Sequence, residues 1–207
     1  MDILGRMKTW LSTFRPKGLN AFIDGCAGRC GVRDAVFNIL LLSALFSMVI
    51  LIILVAFLIL SSSIADLPYT ILLFILFFVI LSIYSLFTFF FSHAVIWLVA
   101  RHFSGISRFN EQVGIDSFPH SGVTLLSLFF LPVLFIPCVG HIVQFALTIY
   151  SLSLRYIVIQ KLYGLSKGKA ILAVLSPILG TVILIVALLF VLFVFAFLSG
   201  YSQALLV

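Results

Sequence analysis

Apolar residues run in unbroken blocks along most of this chain, without the strict alternation of a half-buried strand. "ILLFILFFVILSIYSLFTFFF" (residues 71–91) is apolar at odd and even positions alike. A transmembrane barrel would instead show short segments alternating apolar and polar residues. A helix is the other way to carry a backbone through hydrocarbon without stranding its N–H and C=O groups.

About 20 apolar residues cross a bilayer core of about 30 Å. The pattern predicts five such helices, at about 36–60, 69–100, 123–139, 141–162 and 170–198. The first block ends at the polar break "SSSIAD" before Leu67-Pro68. The second is longer than a perpendicular crossing needs. "RHFSGISRFNEQVGIDSFPHSG" then reads as the longest polar loop between spans. Spans three and four are joined by a sharp turn at Pro137–Gly140, and Pro177 with Gly180 predicts a kink in span five. The first span is too long, and preceded by too many residues, to be a cleaved signal peptide.

Ahead of the spans, residues 1–35 form a separate basic segment. Ile3, Leu4, Met7, Trp10, Leu11 and Phe14 recur at helical spacing against a polar face, and Pro16 stops the pattern. This predicts an amphipathic helix lying in the membrane interface, with Trp10 at headgroup level. Packing on the protein's own cytoplasmic loops is the plainer alternative.

Composition fits this picture. The 207 residues are 64% hydrophobic and only 9% charged, where a soluble domain carries roughly 25% charged residues. Charge also gives a direction. Arg6, Lys8, Arg15, Lys17, Arg29 and Arg33 precede the first span. Arg101 and Arg108 follow the second, and Arg155, Lys161, Lys167 and Lys169 cluster where the fourth gives way to the fifth. With five spans all twelve basic residues fall on one side, expected to be the cytoplasm. The expected fold is therefore an all-α integral membrane protein of five transmembrane helices plus an N-terminal interfacial helix. Its N-terminus is cytoplasmic and its C-terminus outside.

Candidate chemistry is sparse. Asp2, Asp24, Asp34, Asp66, Glu111 and Asp116 all fall in predicted loops or at span edges, which leaves no intramembrane carboxylate for proteolysis or proton relay. No HExxH, Gly-rich phosphate loop or G-x-S-x-G is present, so no catalytic residue is assigned and an enzyme is not expected. No cofactor or metal is expected. Cys26 and Cys30 lack further ligands nearby and read as ordinary reduced thiols, with lipidation as an alternative.

Polar side chains inside a bilayer are costly and mark candidate sites. His141, Gln144, Thr148, Ser151 and Arg155 draw one stripe down span four. Such a stripe can hydrogen-bond to neighbouring helices or line a pathway, and the structural reading is preferred. Arg155 can snorkel to the cytoplasm or pair with Glu111 or Asp116. His93 in span two reads as a helix-to-helix hydrogen-bond partner.

Several stretches resemble the Yip1 domain family of five-span membrane proteins. "SHAVIWLVARHFSG" with the following "RFNEQV" is similar to that family's second span and the basic turn after it. "YGLSKGKAILAVLSP" resembles its cytoplasmic loop between spans four and five. "RMKTWLSTFRPKGLNAFI" resembles the basic lead of prokaryotic members. The positions carrying these motifs are His93, Gly105, Tyr163, Gly164, Ser166, Lys169 and Ala170. The resemblance implies a non-enzymatic protein that organises membranes. Its location would be the cytoplasmic membrane in a prokaryote, or endoplasmic reticulum or Golgi in a eukaryote. Eukaryotic members associate with Rab-type GTPases and with one another, but the short N-terminal segment here departs from them and argues against Rab binding.

The expected partners are anionic lipids, met by Arg6, Lys8, Trp10, Arg15, Lys17, Lys161, Lys167 and Lys169. Further copies or other membrane proteins are also expected, and nucleic acid is not. A small channel or transporter using the span-four stripe is the alternative.

Overall fold

The computed structural model describes residues 3–26, 28–60, 67–134, 136 and 138–204. Among them every regular element is a helix: α1 Ile3–Thr13, α2 Pro16–Cys26, α3 Val32–Leu60, α4 Leu67–Ser104, α5 Phe109–Phe129, α6 Leu131–Leu134, α7 Val139–Tyr163 and α8 Lys167–Ala204. The predicted break at 61–66, with Asp66, and Pro137 of the predicted turn lie outside the described residues, as does Asp2.

Four helices are long and apolar enough to cross a membrane: α3, α4, α7 and α8. Paired side chains give their directions. Asn110 accepts from the Val32 amide at 2.8 Å and Ser117 meets Asn38 at 2.8 Å, so α5 runs parallel to α3. His93 meets Asp116, and Trp97 meets Phe109, so α4 runs antiparallel to α5. Tyr163 bonds Gln112 and Arg155 bonds Asp116, so α7 also runs antiparallel to α5. Lys169 at the start of α8 lies 5.7 Å from the Phe103 ring near the end of α4. Helices α4 and α7 thus point the same way, and α5 is the return between them.

This corrects the expected polar loop. The connection after α4 is only residues 105–108, turned by Gly105 at φ +71°. The rest of "RFNEQVGIDSFPHSG" is α5, the most enclosed helix of the molecule, with Gln112 to Pro119 buried without interruption. The expected third span at 123–139 is likewise redrawn. Its first residues belong to the end of α5, and α6 follows.

The N-terminal segment differs too. Pro16 stops α1 as expected, then opens a second helix, a position its fixed φ favours. Helix α1 crosses the bundle from Asp34 on α3, bonded by Arg6, over α5 at Gly122, to Tyr150 on α7, whose hydroxyl donates to the Phe14 carbonyl. Helix α2 returns along α7, setting the Phe22 ring at a tilt against Phe118 of α5 and ending where Asp24 pairs with Lys161 at 2.7 Å. The apex of this hairpin reaches Tyr150, about 20 Å along α7 from Tyr163 at 1.5 Å per residue.

Trp10, expected at headgroup level, is fully buried beside Phe118 and Leu125. Ile3, Leu4 and Leu11 are the exposed part of the apolar stripe. Cys26 and Cys30, expected as reduced thiols, face each other at the end of α2 with their Cα atoms 5.5 Å apart.

The core lies at the end where basic residues gather. Leu19, Ile96, Ile115, Val158 and Ala170 bring α2, α4, α5, α7 and α8 together there. Helix α8 continues through Pro177, and from Ile178 to Phe195 every side chain is exposed and nearly all are apolar.

Candidate functional site

Helix α5 places Gln112, Asp116, Ser117 and His120 at i, +4, +5 and +8, so its polar groups face two neighbouring sides of one helix. Each finds partners on surrounding helices. Asp116 Oδ2 accepts from Arg155 Nε at 2.9 Å and lies 2.5 Å from His93 Nε2. The carboxylate is 3% exposed and the guanidinium 14%, so this charge pair is withdrawn from water. Arg155 Nη1 also reaches Ser92 Oγ at 3.4 Å.

The other ring nitrogen of His93, Nδ1, lies 2.7 Å from the Phe89 carbonyl oxygen. Both nitrogens therefore face oxygen. A neutral imidazole has one donor, so both bonds are made together only when the ring carries two protons or Asp116 carries one.

Gln112 extends this network to the chain's other motif segment. Its Nε2 donates to the His93 carbonyl at 3.2 Å, and its Oε1 accepts from Tyr163 at 2.8 Å. Tyr163 closes α7, and Gly164 caps it in the left-handed region at φ +61°. Ala170 is fully buried, its amide bonded to the Ser166 carbonyl at 3.0 Å. A second branch runs from Ser117 through Asn38 to Arg6 and Asp34.

The stripe on α7 has two fates. Arg155 belongs to the buried network, paired with Asp116, one of the two acids considered from sequence. Gln144, Thr148 and Ser151 line a cleft of about 310 Å³ between α7 and α5, facing His120, Thr124 and Ser127, and Arg155 also borders this cleft. His141 is exposed and does not line it. Sequence reasoning named Asp116 as a partner for Arg155 but placed it in a loop, and it missed His120, Thr124 and Ser127; the spacing of Gln112, Asp116 and His120 was the signal that could have found the helix.

The proposed lipid-facing residues do not share one surface: Lys161, Lys167 and Lys169 lie at one end of the bundle, Arg15 and Lys17 lie at the hairpin apex level with Tyr150, and Trp10 is buried. Lys8, Arg15, Lys17, Lys167 and Lys169 are exposed. Lys161 is tied to Asp24 and to the Asn20 carbonyl at 3.0 Å. Among the described residues no group of three His, Cys, Asp or Glu side chains could hold a metal ion. The network ties α3, α4, α5 and α7 together, and among the described residues it presents no nucleophile beside a base.

No protein-family model, no curated protein and no solved structure matches this chain. Function is accordingly argued from geometry.

Proposed function

We propose that this is a non-enzymatic multi-pass membrane protein of Yip1 type. It organises membrane through lipid and partner contacts at a basic cytoplasmic face. One observation carries the reading. The end of α4, the end of α7, the start of α8 and the ends of the N-terminal hairpin meet at one end of the bundle and bring most of the basic residues with them. The far reaches of α4 and α8 expose apolar side chains instead. The Yip1 motif positions agree with this reading, since Gly105 and Gly164 make the left-handed turns at that end and His93 joins its central network.

Replacing Lys161, Lys167 and Lys169 together with Gln is expected to weaken binding of the nanodisc-held protein to anionic liposomes. Each basic residue near an anionic surface contributes about 1 kcal/mol, so the loss should approach two orders of magnitude. Undiminished binding would remove the basic face from the proposal.

For the membrane arrangement we infer five passes, with α5 and α6 making the third. Four apolar helices alone cannot thread the bilayer, because α4 and α7 point the same way and need a return between them. Helix α7 is about 37 Å long, enough to cross. The turn at Cys138 should then emerge outside. Cys138 is exposed. A membrane-impermeant maleimide is expected to label it from the outer face of sealed vesicles. No labelling from either face would mean that the hairpin turns back within the bilayer.

The cleft between α5 and α7 favours one second reading, a small channel or transporter. Solute flux into proteoliposomes, lost with Gln144→Ala and absent under the first reading, separates the two.

A further inference from the structure

A cavity of about 650 Å³ opens beside the start of α3, lined among others by Arg6, Arg29, Arg33, Asp34 and Phe37. We propose that it binds a phosphate-bearing anion, in a site distinct from the general basic face though resting on the same reading of that end.

Charge comes first. Three guanidinium groups line the cavity against one carboxylate. That carboxylate is already engaged, taking Arg6 Nη2 at 3.1 Å and the Gly31 amide at 3.3 Å. The side chains of Arg29 and Arg33 have no ion-pair partner among the described residues, and both are exposed.

Arg6 is held in place rather than merely present. Its Nη1 donates to Asn38 at 3.1 Å, and its guanidinium sits 4.3 Å from the Phe37 ring centroid. Its Nε is buried and unpartnered.

The backbone adds to this. Helix α3 begins at Val32, so the positive end of its dipole points into the cavity. Planar guanidinium groups suit phosphate oxygens, each offering paired donors. The volume exceeds that of a phosphate ion and admits a headgroup around it.

The phosphate could belong to a lipid headgroup or to a soluble compound, and the test has an arm for each. The full chain in detergent is titrated with inorganic phosphate by calorimetry. In nanodiscs of phosphatidylcholine containing phosphatidic acid, native mass spectrometry counts the anionic lipid retained. Arg29→Gln with Arg33→Gln removes charge from exposed positions and leaves Arg6 and the fold in place. This variant is expected to bind about thirtyfold more weakly, two basic residues at about 1 kcal/mol each.

Retention of phosphatidic acid alone assigns the site to a headgroup, and binding of inorganic phosphate as well assigns it to a soluble source. The variant with Gln at positions 161, 167 and 169 should bind here as the unaltered protein does. If it loses as much as the arginine pair, charge is diffuse and the site is refuted, although the basic face survives. Failure to hold either probe above the phosphatidylcholine background also overturns the site.

Discussion

Asp116→Ala is expected to destabilise the protein by about 3–5 kcal/mol, the usual penalty for stripping one partner from a buried charge pair. The cause is what remains. Arg155 loses the acceptor of its Nε, and the His93 ring loses the oxygen facing Nε2. His93 is fully enclosed and Arg155 only 14% exposed, so water is a poor substitute for the carboxylate. Denaturant titration in mixed micelles measures the loss. Adding Arg155→Met to the same chain should recover part of it, because a long apolar side chain no longer needs a counter-charge. A loss below about 1 kcal/mol would mean that Arg155 finds another partner by snorkelling.

Gly114→Ala is the second large effect, and here the cause is space. A Cβ at this position would lie 2.3 Å from the Gly31 nitrogen and 2.6 Å from the Cys30 carbonyl carbon. Both are backbone atoms of the turn into α3, so neither can rotate away. Separating α5 from that turn would also strain the bonds at Asn110 and Asn38. The expected cost is about 3 kcal/mol, at the upper end of overpacking penalties. Gly180 is the control. It lies in α8 with nothing within 4 Å of its added Cβ, so Gly180→Ala should gain about 0.5–1 kcal/mol from helix propensity. Equal effects at the two positions would show that the close approach at Gly114 does not exist in the folded protein.

What could be read from sequence follows from what hydropathy measures. The long apolar blocks gave α3, α4, α7 and α8 with small errors at their ends, because lipid-exposed helices need apolar residues all round. The hinge at Tyr163–Lys167 was legible from Gly164 and the lysines beside it.

Helix α5 was not legible for the opposite reason. Its surface meets other helices, and those helices supply Asn38, His93, Arg155 and Tyr163 as partners for its polar groups. A residue-by-residue scale scores Gln112 and Asp116 as loop because it cannot see the groups that satisfy them. Trp10 was misplaced similarly. Its spacing marks an apolar face, but only the packing shows that α5 covers that face at Gly122. Helix α2, short and interrupted by Gly18 and Gly25, has too weak a pattern to stand out.

The apex of the α1–α2 hairpin has a mechanical consequence. Arg15 and Lys17 are exposed there, level with Tyr150, and neither ion tolerates hydrocarbon. On the opposite flank, greasy side chains begin at Ile171, directly after Lys169. Acyl tails can therefore climb higher against α8 than against the hairpin. In the proposed orientation the inner leaflet would slope around this molecule, pinched on one flank and full on the other, and copies aligned would act on the sheet as a row of wedges.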